Sequence, residues 1–206
     1  MHLSLSLPKD LVTLRFPEQL SDQEFQEFCS LNGELHIERE PDGTIMVMTP
    51  VNLISGELES DFITDLKIWS RATGGGKVFS SATGFTLPDT SVRSPDASWI
   101  SDEQVAQLPE DELQRFAEIV PSFVVEVQSR TDLLKVLQRK MKTTWIANGV
   151  RLAWLVIPQK EQLIIYRADG TETLIDSFEQ EVGGEDLLVD FVFDLRILQK
   201  KKDHDH

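Results

Sequence analysis

Cysteine is almost missing from this chain: Cys29 is the only one among 206 residues. A single thiol excludes an internal disulfide and any zinc site built on several cysteines. Cys29 itself falls within a helical pattern and is expected in the core. Long apolar runs are missing too, since no stretch approaches the roughly eighteen consecutive apolar residues that a membrane span needs. The opening MHLSLSLPKD has neither a basic n-region nor an apolar h-region, so a cytoplasmic protein is expected. Basic residues are scarce, 20 against 35 acidic ones for a net charge of −15. That balance argues against a protein that simply coats nucleic acid. Phosphate-cradling glycine motifs are absent: TGGGKV lacks the GxxxxGK[ST] spacing and follows a helical pattern instead of a strand. No GxSxG elbow for a serine nucleophile is present. With neither an internal repeat nor a linker, the chain reads as one domain over residues 1–198, followed by a flexible charged tail over 199–206 whose KKDHDH is a frayed end.

What is present begins with Ser21 and Glu24, the spacing of a capping box, ahead of the helical stretch DQEFQEFCS. ELHIERE and TIMVMT alternate apolar and polar residues around Pro41-Asp42-Gly43, which predicts a hairpin. A helix is predicted from Ile54 to Trp69 and stopped by Gly74-Gly75-Gly76. KVFSS, GFTLP, DASWI and SFVVEVQ read as short strands, with a helix near PEDELQRFA between the last two. A second long helix runs from Asp132 to Asn148 and ends at Gly149, a C-cap position. LAWLVI, QLIIYR and TETLI follow as strands. The order is mixed, so the fold class expected is α/β to α+β, a mixed sheet with helices packed against it.

Within SFVVEVQ, residues two apart share a face, so Glu126 and Gln128 open onto one side while Phe123, Val125 and Val127 take the other. A carboxylate in a valine run has to be paired, neutralised or holding a cation. Asp96 stands at the start of another strand, fixed by the proline before it. If the two strands are neighbours, two carboxylates converge at one end of a sheet, an arrangement suited to a hard divalent cation. On a wheel of about 100° per residue, Glu59 joins the apolar face of the first long helix (Ile54, Leu58, Phe62, Leu66, Trp69), whereas Glu57 faces solvent. On the second, the stripe is Leu133, Leu134, Leu137, Met141, Thr144 and Trp145, with Lys140 about 20° outside its edge and Lys135, Arg139 and Lys142 well out in solvent. Between Arg130 and Arg151 six basic residues face the single acid Asp132, a local excess of positive charge directly after Glu126. Alone, a Pro-Asp is a turn, a strand glutamate a wet edge and Lys140 a surface lysine. Together they predict carboxylates that hold magnesium and a lysine that positions or deprotonates a water, or steadies developing charge.

SSATGFTLPDTSVRSPDASWI, PSFVVEVQSRTDLLKVLQRKM and WIANGVRLAWLVIP resemble a bacterial family of "putative restriction endonuclease" domains, long labelled a domain of unknown function, within the PD-(D/E)XK nuclease superfamily. The likeness runs from about Glu34 to Leu198. It implies a restriction-endonuclease-like core and metal-dependent hydrolysis of DNA phosphodiesters, with magnesium or manganese as cofactor. By position it makes Asp96 and Glu126 the motif acids, Asp96, Glu126 and Val127 the metal ligands, and Glu59 the helical acid. The superfamily lysine, two places after the motif acid, is replaced here by Gln128. The family's use of a lysine from the following helix points to Lys140, with Lys135 as second choice. The stretch from Lys140 to Gly149 is one residue longer than the family's. Cutting both strands of DNA calls for two sites, hence an expected homodimer. Two other classes compete: a catalytically inactive nuclease fold that binds DNA or a partner, suggested by Gln128 and the acidic excess, and a glycosidase using Asp96 and Glu126 as an acid and base pair.

Overall fold

The computed structural model describes residues 11–48, 50–73 and 75–201. The readings on MHLSLSLPKD, Gly74 and the last five residues lie outside them. In chain order the strands and helices are β1 (Leu11–Leu14), α1 (Asp22–Leu31), β2 (His36–Arg39), β3 (Ile45–Met48), α2 (Leu53–Thr73), β4 (Lys77–Ser80), β5 (Phe85–Thr86), β6 (Val92–Arg93), β7 (Ala97–Ile100), α3 (Asp102–Ala106), β8 (Phe123–Val127), α4 (Leu134–Lys140), β9 (Leu152–Ile157), β10 (Gln162–Arg167), β11 (Glu172–Ile175), β12 (Glu181–Gly184) and β13 (Leu188–Asp194).

The capping box at α1 forms as its spacing predicts, with Ser21 accepting from the Glu24 N–H and the Glu24 side chain accepting from the Ser21 N–H. The β2–β3 hairpin turns at Gly43, which adopts φ +78°, a region glycine enters without strain. A helix near PEDELQRFA does not form. Only a five-residue 3₁₀ segment, Glu110–Gln114, occupies it, while Ser101 and Gln104 cap the unpredicted α3 reciprocally. At the C-terminal end a 3₁₀ segment, Leu195–Lys201, runs past residue 198, and Gln199 Nε2 donates to Glu179 Oε1 at 2.9 Å.

The strands form a six-stranded sheet in the order β11-β10-β9-β8-β7-β4, mixed because β8 and β9 run parallel while their neighbours are antiparallel. A second, five-stranded sheet, β1-β3-β2-β6-β5, and the β12–β13 hairpin complete the molecule. Alternation along β8 and β9 divides the core into two layers. Phe123, Val125, Val127, Trp154 and Val156 pack with Leu58, Phe62 and Leu66 of α2 and with Phe191 and Phe193 of β13. Val124, Ala153 and Leu155 face Met141 and Trp145 after α4. Phe62 stacks on Phe193 at 4.1 Å between ring centroids, and Trp154 meets Phe123 edge-on at 5.0 Å. A third cluster, Phe25, Phe28, Ile37, Ile45, Val47 and Val92, joins α1 to the five-stranded sheet. Cys29 packs against it half-buried, and burial pushes its thiol pKa up to about 12. Among the described residues no helix is long and apolar enough to cross a membrane.

Candidate functional site

The valine run that holds Glu126 is the central strand β8, and every residue of it is buried. Ala97 of β7 pairs with Val125 of β8, so Asp96, one residue before β7, comes alongside Glu126 and Val127. Its Oδ2 accepts the Val127 N–H at 2.6 Å. The two acids therefore meet at one end of neighbouring strands. Burial, Glu126 and Glu59, in that order, raise the Asp96 carboxyl well above the ordinary aspartate range.

Glu126 faces the α4 layer and is 5% exposed. Two donors converge on its Oε1: Lys140 Nζ at 2.8 Å and Trp145 Nε1 at 2.8 Å. Lys140 Nζ also lies 5.7 Å from the centroid of the Trp145 ring. Burial works against the ammonium, but Glu126 and Glu38 outweigh it and hold the Lys140 pKa above the usual lysine value. The side chain keeps 22% exposure, so the ammonium is fixed without being sealed from solvent.

The placement of both donors depends on a departure from α-helical geometry. The predicted helix over 132–148 is instead α4 followed by a π-helical turn, Met141–Ile146, with Ala147 donating to the Lys142 carbonyl and Val150 to that of Trp145. Residues five apart on an α-helix sit about 140° apart around the axis. A turn closed by i→i+5 bonds brings them nearly above one another. That turn lets Lys140 and Trp145 reach one oxygen. Gly149 ends the segment at φ +106°.

Glu59 reaches the cluster from α2, in the opposite layer, and is 8% exposed. Ser81 Oγ donates to its Oε2 at 3.2 Å. Burial first, then the charge of Glu126, raises its pKa. Val127 contributes its N–H to Asp96, and as an apolar residue it could ligate an ion only through its backbone.

Two candidates do not join the cluster. β8 ends at Val127, so strand alternation does not carry Gln128 onto the Glu126 surface. Its Nε2 donates instead to the Asp132 carbonyl at 2.9 Å and closes the 128–132 turn with Ser129 N–H on Asp132 Oδ2. Lys135 is exposed on the outer side of α4. Leu133, assigned to the inward stripe, is 72% exposed because the helix begins only at Leu134.

The composition of the five-stranded sheet gave no hint that it reaches the site. From β2, Glu38 lies 4.0 Å from Lys140 Nζ. His36, two residues earlier, leaves its buried Nε2 without a hydrogen-bond partner; burial, helped by the Lys140 ammonium, lowers its pKa against the charges of Glu38 and Glu126. A charged residue in an alternating strand, like Glu126 among valines, is the one signal that could have singled out Glu38.

Among the described residues no three His, Cys, Asp or Glu side chains form a cage for a metal. The donor set fits magnesium or manganese nonetheless. Such ions take one or two carboxylates and keep several waters, and Asp96 and Glu59 are buried carboxyls whose ionisation no cation supports as closely as Lys140 supports that of Glu126, a support that a divalent ion would supply.

A family model, Uma2, described as "Putative restriction endonuclease", matches residues 22–196. The chain belongs to that family. Among solved structures, the crystal structure of "a putative nuclease belonging to DUF820" from Anabaena variabilis ATCC 29413 superposes with a TM-score of 0.67 at 15% identity, over 80% of this chain and 90% of that one. At that identity the likeness establishes the nuclease-like fold, and the Uma2 chain shares it. None of the curated proteins matches the chain.

Proposed function

We propose that this Uma2 protein is a magnesium- or manganese-dependent endodeoxyribonuclease that works as a cytoplasmic homodimer. The observation that carries the reading is the meeting of Asp96, Glu126 and Lys140, with Asp96 tied to the Val127 N–H at 2.6 Å and Lys140 to Glu126 at 2.8 Å. The description of the family as a restriction endonuclease and that of the structural neighbour as a nuclease point the same way.

Asp96 and Glu126 would hold the ion, with the Val127 carbonyl and Glu59 as further oxygen donors. A bound magnesium ion would polarise a phosphoryl oxygen and lower the pKa of a water. Lys140 supplies positive charge for the phosphoryl oxygens as negative charge develops on them. A role as general base fits it poorly, because its carboxylate neighbours hold its proton. Trp145 fixes the Glu126 carboxylate through Nε1 and leaves it less freedom to rotate away. Glu59 adds a carboxyl whose pKa is raised without metal and whose ionised form a bound cation would favour.

The test is cleavage of plasmid and linear DNA in magnesium or manganese by wild type, Asp96→Asn, Glu126→Ala and Lys140→Ala. Wild type is expected to nick and linearise plasmid while each variant falls by about 100-fold or more, the scale of losing one electrostatic contact in a transition state. Equal background in wild type and Glu126→Ala overturns the reading. An inactive DNA-binding fold would instead show DNA affinity in calorimetric titration without any heat of metal binding.

A further inference from the structure

Glu38 belongs to the five-stranded sheet, yet its carboxylate is divided between two parts of the candidate site. It is 2% exposed. Oε1 accepts the Ser94 N–H at 3.0 Å and faces Lys140 Nζ at 4.0 Å, while Oε2 accepts from Arg93 Nη1 at 3.1 Å. Ser94 stands two residues before Asp96, so one carboxylate touches both the segment that delivers Asp96 and the ammonium beside Glu126. Arg93 is itself shared, its other terminal nitrogen bonding Glu40. One guanidinium between two carboxylates leaves a negative charge over, and Lys140 is the cation that faces it. The Glu38 carboxyl stays ionised because Lys140 and Arg93 outweigh burial.

We propose that Glu38 is a positioning residue: it is the second carboxylate on the Lys140 ammonium beside Glu126 and ties it to the Arg93–Asp96 segment. Lys140 then keeps a fixed partner when Glu126 turns its charge toward a cation. A carboxylate needed only to brace its own sheet, where β2 lies beside β6, would be satisfied by Arg93 and Ser94 alone. The geometry stands by itself, and its catalytic meaning rests on the nuclease reading.

The deciding measurement is competitive acetylation of the metal-free, full-length protein with acetic anhydride, followed residue by residue by mass spectrometry. In wild type, Lys140 should react about tenfold or more slowly than exposed Lys135, because a paired ammonium gives up its proton reluctantly. Glu38→Gln keeps an acceptor for the Ser94 N–H but removes the charge. It should speed acetylation of Lys140 by about three- to tenfold with Lys135 unchanged. If Glu38→Gln does not fold, Glu38→Asp, whose shorter arm withdraws the charge from Lys140, should give a smaller rise in the same direction. In DNA cleavage, Glu38→Gln should lower kcat by about ten- to a hundredfold with KM within about twofold, the signature of an interaction made in the transition state. The proposal is overturned if Lys140 reacts as in wild type whenever Glu38 is changed, and faster only when Glu126 is changed to Gln. If wild type cuts no DNA, the nuclease reading falls by itself, and acetylation still decides the role of Glu38.

Discussion

Asp96 carries the electrostatic strain of the cluster. Its carboxyl is raised well above the ordinary aspartate range by burial and by Glu126 and Glu59, so the folded chain binds that proton more tightly than the unfolded chain does. The stabilisation this brings is complete below the ordinary aspartate pKa and disappears as pH rises through the raised value. Without metal, Asp96→Asn removes a carboxyl that is either repelled as an anion or must take up a proton to fold, while keeping an oxygen for the Val127 N–H. The variant should therefore melt several degrees above wild type at pH 8 in chelator, with the gain shrinking toward pH 4, while DNA cleavage is lost. Thermal denaturation at the two pH values checks this, and a lower melting temperature at pH 8 would contradict it. Trp145 supports the site by different means. Trp145→Phe preserves most of the buried ring but removes the N–H from Glu126 Oε1. It should cost about 1–3 kcal/mol in urea denaturation, the scale of a lost hydrogen bond to a charged group. The burial of Glu126 and Glu59 was legible in the sequence because carboxylates on an apolar strand and stripe conflict with local patterning, and the position of Asp96 because a proline sets the entry to its strand. Trp145 was not, since a tryptophan on a helix stripe fits a core and its indole N–H finds a partner only in three dimensions.

At the level of elements, the largest departure from sequence periodicity has a direct bearing on the site. A uniform wheel put Lys140 just outside the inward stripe, and it could not register the π turn that follows, because one extra residue leaves apolar spacing almost unchanged. The turn holds Lys140 and Trp145 on one Glu126 oxygen. Removing the exposed Thr143 should convert it to α-helix and leave Lys140 and Trp145 four residues apart, about 40° around the axis, so that both still face Glu126. The expected product is a folded protein that keeps DNA cleavage, whereas inserting an alanine after Thr143, which adds about 100° between the two side chains, should lower cleavage as far as in Lys140→Ala. Wild-type cleavage by the insertion variant would show that the spacing of the two donors is incidental. The strand assignments around the site held because β7, β8 and β9 are dense in apolar residues. β6 has only two residues, and β12 carries two glycines, too little pattern to announce a strand.

Over the whole molecule, the second sheet was the least legible feature and the one that brings Glu38 and His36 to the cluster. Its β2–β3 hairpin was legible, but the strands have two to four residues and the pairings β1–β3 and β2–β6 that assemble the sheet join distant segments, which local periodicity does not encode. Charge distribution was easier to read. A chain with a net charge of −15 repels DNA except where cations gather, and the outer side of α4 presents Lys135 and Arg139, both exposed, on the helix that ends in Lys140. If that side meets the phosphate backbone, each contact contributes about −0.9 to the slope of log affinity against log salt. Replacing Lys135 and Arg139 together by glutamine should flatten that slope by about 2 and weaken binding at low salt, in proportion to two lost phosphate contacts. Because neither side chain reaches the Glu126 cluster, kcat at saturating DNA should stay at the wild-type value. Fluorescence anisotropy with a labelled duplex across a salt series measures the slope, and an unchanged slope would move the DNA path to another face of the molecule.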